Sequence, residues 1–281
     1  MERSAPVGVF DSGVGGLSVL AALRSRLPGE RFIYYADTAH APYGERGDAF
    51  VVDRTLQVAE LLVREHGVKA LVVACNTATA AAIHLLREAW PGMPIVGVEP
   101  ALKPALALTR TGHVAVLATR GTLASRKFGV LVERLAGAAH TVRTVACDGL
   151  ADAIEQADTE SVRALCQRYI QEVGPLGDHV GQVDVVVLGC THYPFAQVHL
   201  TAAAGGGVRF VETGEPVAKQ TARLLAEAKL DQPEDTGGGL TLLSSGDGGN
   251  LHRAADRWLL IPQLVRQPHL QGAPMRHSGA A

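Results

Sequence analysis

Short apolar runs rich in β-branched residues alternate with helix-period stretches along most of this chain, and that alternation limits its fold more than any other feature. Residues 7–10, 32–36, 70–74 and 95–98 read as buried strands, and 17–27, 51–65 and 78–89 carry apolar residues at helical spacing between them. The pattern resumes with a strand at 114–117, a helix at 123–135 and a strand at 141–145. Helices at 150–156 and 160–173 follow, then a strand at 183–188. Helices at 214–229 and 248–260 bracket a further strand at 240–243. Such alternation predicts an α/β fold of mostly parallel sheets flanked on both faces by helices. Beyond Pro262 periodicity is lost, and a mobile tail is expected over 262–281.

Composition narrows the function classes. Of 281 residues, 47% are hydrophobic and 19% charged, enough for a sizeable core and unlike a disordered chain. A net charge of -2 supplies no basic surface for phosphates, which argues against nucleic-acid binding. No apolar run reaches the roughly 20 residues of a membrane span, and the first residues lack the apolar core of a signal peptide. Cys75, Cys147, Cys166 and Cys190 are scattered without a C-x-x-C pair, a pattern of free thiols in a reducing cytoplasm.

The two halves of the chain repeat one device. Ala74-Cys75-Asn76-Thr77 and Gly189-Cys190-Thr191-His192 each follow an apolar strand and precede a helix. The segment ending at Asp11-Ser12-Gly13 likewise parallels the one ending at Thr119-Arg120-Gly121. Ligands of open α/β sheets bind at the carboxyl ends of strands, so two such units facing each other would place one thiol on each side of a cleft. Glu99-Pro100 marks the passage between them, because proline drives its predecessor out of the helical region.

Two thiols suit one kind of chemistry. Inverting a stereocentre by proton transfer needs a base on one face of the carbon and an acid on the other, and the two exchange roles in the reverse reaction. Cysteine, with a free pKa near 8.5, can serve in either state. A buried cysteine in an α/β protein is more often filler, and that reading suits Cys147 and Cys166. It suits Cys75 and Cys190 less well, because they share position and context.

Other readings remain open on these residues. Gly13-Val14-Gly15-Gly16 after a strand could cradle a dinucleotide with Asp37 on the ribose, although Ser18 stands where the third glycine belongs. Cys190 and His192 could form a hydrolytic pair, which leaves the matching Cys75 unexplained. A structural zinc site would want about four closely spaced ligands, and the sequence offers none.

Taken together, the motifs resemble the glutamate racemase family of the aspartate/glutamate racemase superfamily. They are Phe10-Asp11-Ser12-Gly13-Val14-Gly15-Gly16-Leu17-Ser18, Ala36-Asp37 with Pro42-Tyr43-Gly44, Ala74-Cys75-Asn76-Thr77-Ala78, Val98-Glu99-Pro100 and Leu188-Gly189-Cys190-Thr191-His192-Tyr193-Pro194. The resemblance spans about residues 7–230. It implies a pyridoxal-independent isomerase, without metal or other cofactor, that interconverts L-glutamate and D-glutamate for peptidoglycan. Cys75 would act on D-glutamate and Cys190 on L-glutamate, with Asp11 and His192 tuning the thiols or joining in proton transfer. Asp11, Ser12, Pro42, Tyr43, Gly44, Asn76, Thr77, Thr119, Thr122, Thr191 and His192 would hold substrate, and Glu155 would be an acid near His192.

The resemblance further implies a cytoplasmic homodimer. Each chain would have a first domain of residues 1–98 plus 211–261 and a second of 99–210, with the site in the cleft between them. Val211-Glu212-Thr213-Gly214 departs from an Asp-Ser-Gly pattern of the family, which puts any hinge or substrate role there in doubt. Activation by a cell-wall precursor, carried on an N-terminal extension in some members, is not expected. The rivals are a racemase of aspartate or another acidic amino acid, and a non-catalytic amino-acid binder. Thr191-His192 and Pro42-Tyr43-Gly44 favour glutamate.

Overall fold

The computed structural model describes residues 2–137 and 139–259, so the tail expected over 262–281 lies outside the described residues. The chain opens with β1 (Val7–Asp11), α1 (Leu17–Arg26), β2 (Arg31–Ala36), α2 (Asp48–Arg64), β3 (Ala70–Val73), α3 (Asn76–Ala89) and β4 (Ile95–Gly97). After Val98-Glu99-Pro100 come α4 (Leu102–Leu108), β5 (His113–Ala118), α5 (Arg120–Ala124), α6 (Arg126–Leu135), β6 (Thr141–Ala146) and α7 (Leu150–Glu155). Next are α8 (Thr159–Val173), β7 (Val185–Leu188), α9 (Gln197–Ala204) and β8 (Arg209–Val211). The last described elements are α10 (Gly214–Glu227), β9 (Gly239–Ser244) and α11 (Gly248–Trp258).

The strands form two sheets, ordered β4-β3-β1-β2-β9 and β6-β5-β7-β8. Every pairing is parallel. Central strands β1, β3 and β7 are buried along their whole length, which is why their sequences run continuously apolar instead of alternating. On one face of the first sheet Val7, Val9 and Val72 pack with Leu17, Leu20 and Leu23 of α1 and with Leu225 and Leu251 from the C-terminal helices. On the other, Phe10, Leu71 and Val73 meet α2 and α3 through Val58, Leu62, Ile83 and Leu86. The second sheet is sandwiched the same way, Leu117, Val186 and Leu188 against α7 and α8, Val114, Val116 and Val187 against Leu102, Phe128 and Leu131.

Several local expectations change. The helix expected over 123–135 is two helices, because Ser125 adopts an extended backbone and its Oγ accepts from Phe128 N at 3.2 Å to cap α6. The strand expected from 183 begins at Val185, and Val183 instead bridges to Leu176. Two elements go unanticipated: α4, whose Pro104 falls in the first turn where its missing N–H costs nothing, and the three-residue edge strand β8. The helix expected after His192 is a 3-10 turn at Tyr193–Ala196 running into α9. Among the described residues no helix is long and apolar enough to cross a membrane.

Candidate active site

The carboxyl ends of β1, β3, β5 and β7 meet around one cavity. Asp11, the last residue of β1, is fully buried. Its Oδ1 accepts from Ser12 N at 2.7 Å and its Oδ2 from Thr191 Oγ1 of the second half at 3.0 Å. Burial raises the Asp11 pKa above the usual aspartate value, against the lowering effects of nearby His192 and the Thr191 hydrogen bond.

The glycine loop that follows is shaped by its neighbours. A Cβ on Gly13 would stand 2.5 Å from Glu155 Oε2, and one on Gly15 would stand 2.3 Å from His192 Nδ1. Val14 N donates to Glu155 Oε2 at 3.0 Å, and Tyr34 Oη donates to the Gly13 carbonyl at 2.7 Å. A carboxylate and an imidazole from the second half therefore fill the space that a pyrophosphate would need. The dinucleotide reading of this loop is overturned, and Asp37 is engaged elsewhere.

Cys75 ends the run from β3 and caps α3. Its Sγ accepts from Ala78 N at 3.4 Å and donates to Ser12 Oγ at 3.7 Å. Burial, with the negative charge of Asp11 added, pushes the Cys75 thiol well up, and the Ala78 N–H and Ser12 only partly offset this. Cys190 occupies the matching place after β7, with its Sγ 3.8 Å from His192 Nδ1. His192 Nε2 lies 2.6 Å from Glu155 Oε2. Burial pulls the His192 pKa down, but hydrogen bonds to Cys190 and Glu155 and the Glu155 charge raise it well above the ordinary histidine value. Burial likewise disfavours a charged Glu155, yet its bond to His192 wins and holds the carboxyl low. The raised pKa of His192 and the lowered pKa of Glu155 both favour an imidazolium–carboxylate pair, and the His192 Nδ1 face is turned to the Cys190 sulfur.

The cavity holds about 500 Å³ of empty space, part of it open to solvent. From the first half it is lined by Ser12, Pro42, Tyr43, Gly44, Cys75, Asn76 and Thr77, and from the second by Thr119, Cys190, Thr191 and His192. Asp11 and Thr122 stand behind this lining, Thr122 as acceptor of a 3.0 Å bond from Thr119 Oγ1. Thr119 also reaches Thr77 Oγ1 across the cleft at 3.2 Å. Tyr43 turns its hydroxyl away from the cavity, donating to Asp37 Oδ2 at 2.5 Å, and Arg54 grips both Asp37 oxygens at 3.0 and 2.9 Å. The loop through Pro42, Tyr43 and Gly44 is thereby tied to α2. Asn76 differs from the rest: it is buried, yet neither its amide nitrogen nor its oxygen has a partner.

Glu45, Arg120, Cys147, Asp148, Gly149 and Ala151 also line the cavity. Cys147 and Cys166 are both buried in the second core, as the filler reading expects, and Cys147 also borders the cavity. The signal for Cys147 lay in the sequence: it follows a strand and precedes a helix, like the two paired thiols. Burial pushes the Cys147 thiol up, and the Cys166 thiol up to about 12. Among the described residues no group of three or more His, Cys, Asp or Glu could hold a metal ion.

Comparison with known proteins agrees with this geometry. The family model for Asp/Glu/hydantoin racemases matches residues 17–221. A glutamate racemase from Pseudomonas putida is 48% identical over 231 residues, spanning 82% of this chain and 84% of the relative. The crystal structure of a glutamate racemase isoform from Bacillus anthracis matches with a TM-score of 0.83 at 28% identity, covering 96% of this chain and 99% of that one. The Escherichia coli glutamate racemase, solved with L-glutamate and the activator UDP-MurNAc-Ala, matches at 0.75 and 30% identity over 90% and 95% of the two chains. With thiols from two matching strand ends on one cavity and relatives of this closeness, the chain belongs to the Asp/Glu/hydantoin racemase family.

Proposed function

We propose that this glutamate racemase moves the α-proton of its substrate between two thiols, Cys190 acting on L-glutamate and Cys75 on D-glutamate. The observation that carries this assignment is that both sulfurs line one cavity from opposite sheets. Burial and the Asp11 charge favour the thiol form of Cys75, while His192 Nδ1 stands 3.8 Å from the Cys190 sulfur, within reach of a hydrogen bond to it. In the L-to-D direction the Cys190 thiolate takes the proton from Cα, and the Cys75 thiol delivers its own to the opposite face. The enzyme is left with a Cys75 thiolate and a Cys190 thiol, ready for D-glutamate. No atom is gained or lost.

The buried, unpartnered Asn76 amide offers both a donor and an acceptor to the amino-acid end of the substrate. Thr77, Thr119 and Thr191 line the same space with hydroxyls, and the Pro42-Tyr43-Gly44 loop forms another wall. Asp11 and Thr122, behind the lining, position Thr191 and Thr119. We further propose two domains, 1–98 with 212–261 and 99–211, the boundary expected at 211 moving by one because Val211 of β8 pairs with β7 in the second sheet. A homodimer in the cytoplasm supplying D-glutamate for peptidoglycan completes the reading, supported by four free cysteines and the nature of the relatives.

The test is exchange in deuterated water, with L-glutamate and D-glutamate offered separately to the wild type, Cys75→Ala and Cys190→Ala. We expect inversion to fall by about 10³-fold or more in each variant, in the range for losing a positioned proton-transfer group. Inversion at the wild-type rate in either variant would contradict the assigned roles.

A further inference from the structure

We propose that Arg120 captures the anionic substrate at the mouth of the cleft, leaving Asp148 for a carboxylate of the incoming glutamate. The proposal rests on the glutamate racemase reading. Arg120 opens α5 directly after Thr119, and its guanidinium pairs with the Asp148 carboxylate, the two side chains being 69% and 44% exposed. Both residues line the cavity, as does the exposed Glu45 of the first half. Among the described residues of that lining Arg120 is the sole lysine or arginine. The other cationic group, His192, is buried and already engaged by Glu155.

Charge at the mouth makes this arginine consequential. Glutamate arrives with two carboxylates and one ammonium, and it meets two exposed carboxylates, Glu45 and Asp148, against one guanidinium. Without Arg120 no lysine or arginine at the mouth offsets the repulsion between these carboxylates and the net negative charge of glutamate. An exposed ion pair holds weakly because water and salt screen it and both side chains lose freedom to keep it. Arginine can therefore change partners at little cost, and its planar fork matches a substrate carboxylate as well as it matches Asp148. Neither Arg120 nor Asp148 touches the reacting thiols in any hydrogen bond described above, so proton transfer itself should be insensitive to both.

Initial rates of L-glutamate racemisation, measured from low to high ionic strength, test this on the wild type, Arg120→Gln, Arg120→Lys and Asp148→Asn. At low salt Arg120→Gln should raise KM about ten-fold with kcat within about two-fold, the deficit narrowing as salt screens the mouth. Arg120→Lys should recover most of the loss, and Asp148→Asn should lower KM. An unchanged KM in Arg120→Gln, a deficit that does not respond to salt, or a raised KM in Asp148→Asn overturns the proposal. A wild type without glutamate turnover would instead overturn the racemase reading on which it stands.

Discussion

Glu155 meets three groups at once: the His192 imidazole, the Val14 amide, and the space where any side chain on Gly13 would have to go. It links the glycine loop of one half to the histidine beside Cys190 of the other. Glu155→Gln keeps an acceptor for Val14 but removes the charge that holds the imidazolium. Because Glu155 raises the His192 pKa, its neutralisation lets His192 lose its proton at lower pH. We expect a kcat loss of about 10²-fold at pH 8 and a high-pH limb of the kcat profile displaced toward acid. A limb left in place would mean that another group sets it. Cys75 and Cys190 are legible in sequence because one device occurs twice. Glu155 enters only through family resemblance, since nothing at 155 itself distinguishes a buried partner from an ordinary helical glutamate. Arg120 and Asp148 are illegible for a different reason, because their nearness depends on how α5 and the loop after β6 converge.

At the scale of elements, strands and helices are well foretold where burial on both sheet faces forces a continuous apolar run. Ends and short pieces are not, as Pro104 in α4 and the break at Ser125 show, because local capping decides them. One element junction carries a pH-dependent part of the stability. Asp37, at the end of β2, is buried, which alone would raise its pKa, but hydrogen bonds from Arg54 and Tyr43 outweigh burial and lower it. The folded state therefore binds fewer protons than the unfolded one in acid. The contribution is complete above the ordinary aspartate pKa of about 3.9 and disappears as pH falls through the lower folded value. Asp37→Asn strands Arg54 without its counter-charge, and should cost about 3–5 kcal/mol at pH 7. Urea unfolding from pH 7 to pH 2 should show the gap from wild type closing below about pH 4. A gap that is constant across that range would sink this account.

Across the whole molecule the halves are joined by polar contacts at the cleft and by an aromatic stack, Phe195 on Trp258 with ring centroids 4.3 Å apart. The chain leaves the first sheet after β4, builds all of the second, and returns to add β9 at the edge beside β2. Lys69, just before β3, is fully buried; its Nζ pairs with Glu30 at 2.6 Å and donates to the Arg3 carbonyl at 2.7 Å, and only its bond to the Leu230 carbonyl at 2.8 Å waits on the return. During synthesis, then, the later-made sheet has every strand it needs before the earlier one does. Ribosome-stalled chains with residues up to 238 exposed should resist protease across 99–211 while 7–98 is still cut, and both should resist once β9 has emerged. Early protection of 7–98 would refute that order. Translation is thus expected to finish the inserted half first, and the half that was begun first stays an unfinished frame, with a ready β2 edge and a buried ammonium one acceptor short, until Leu230 and β9 have been made.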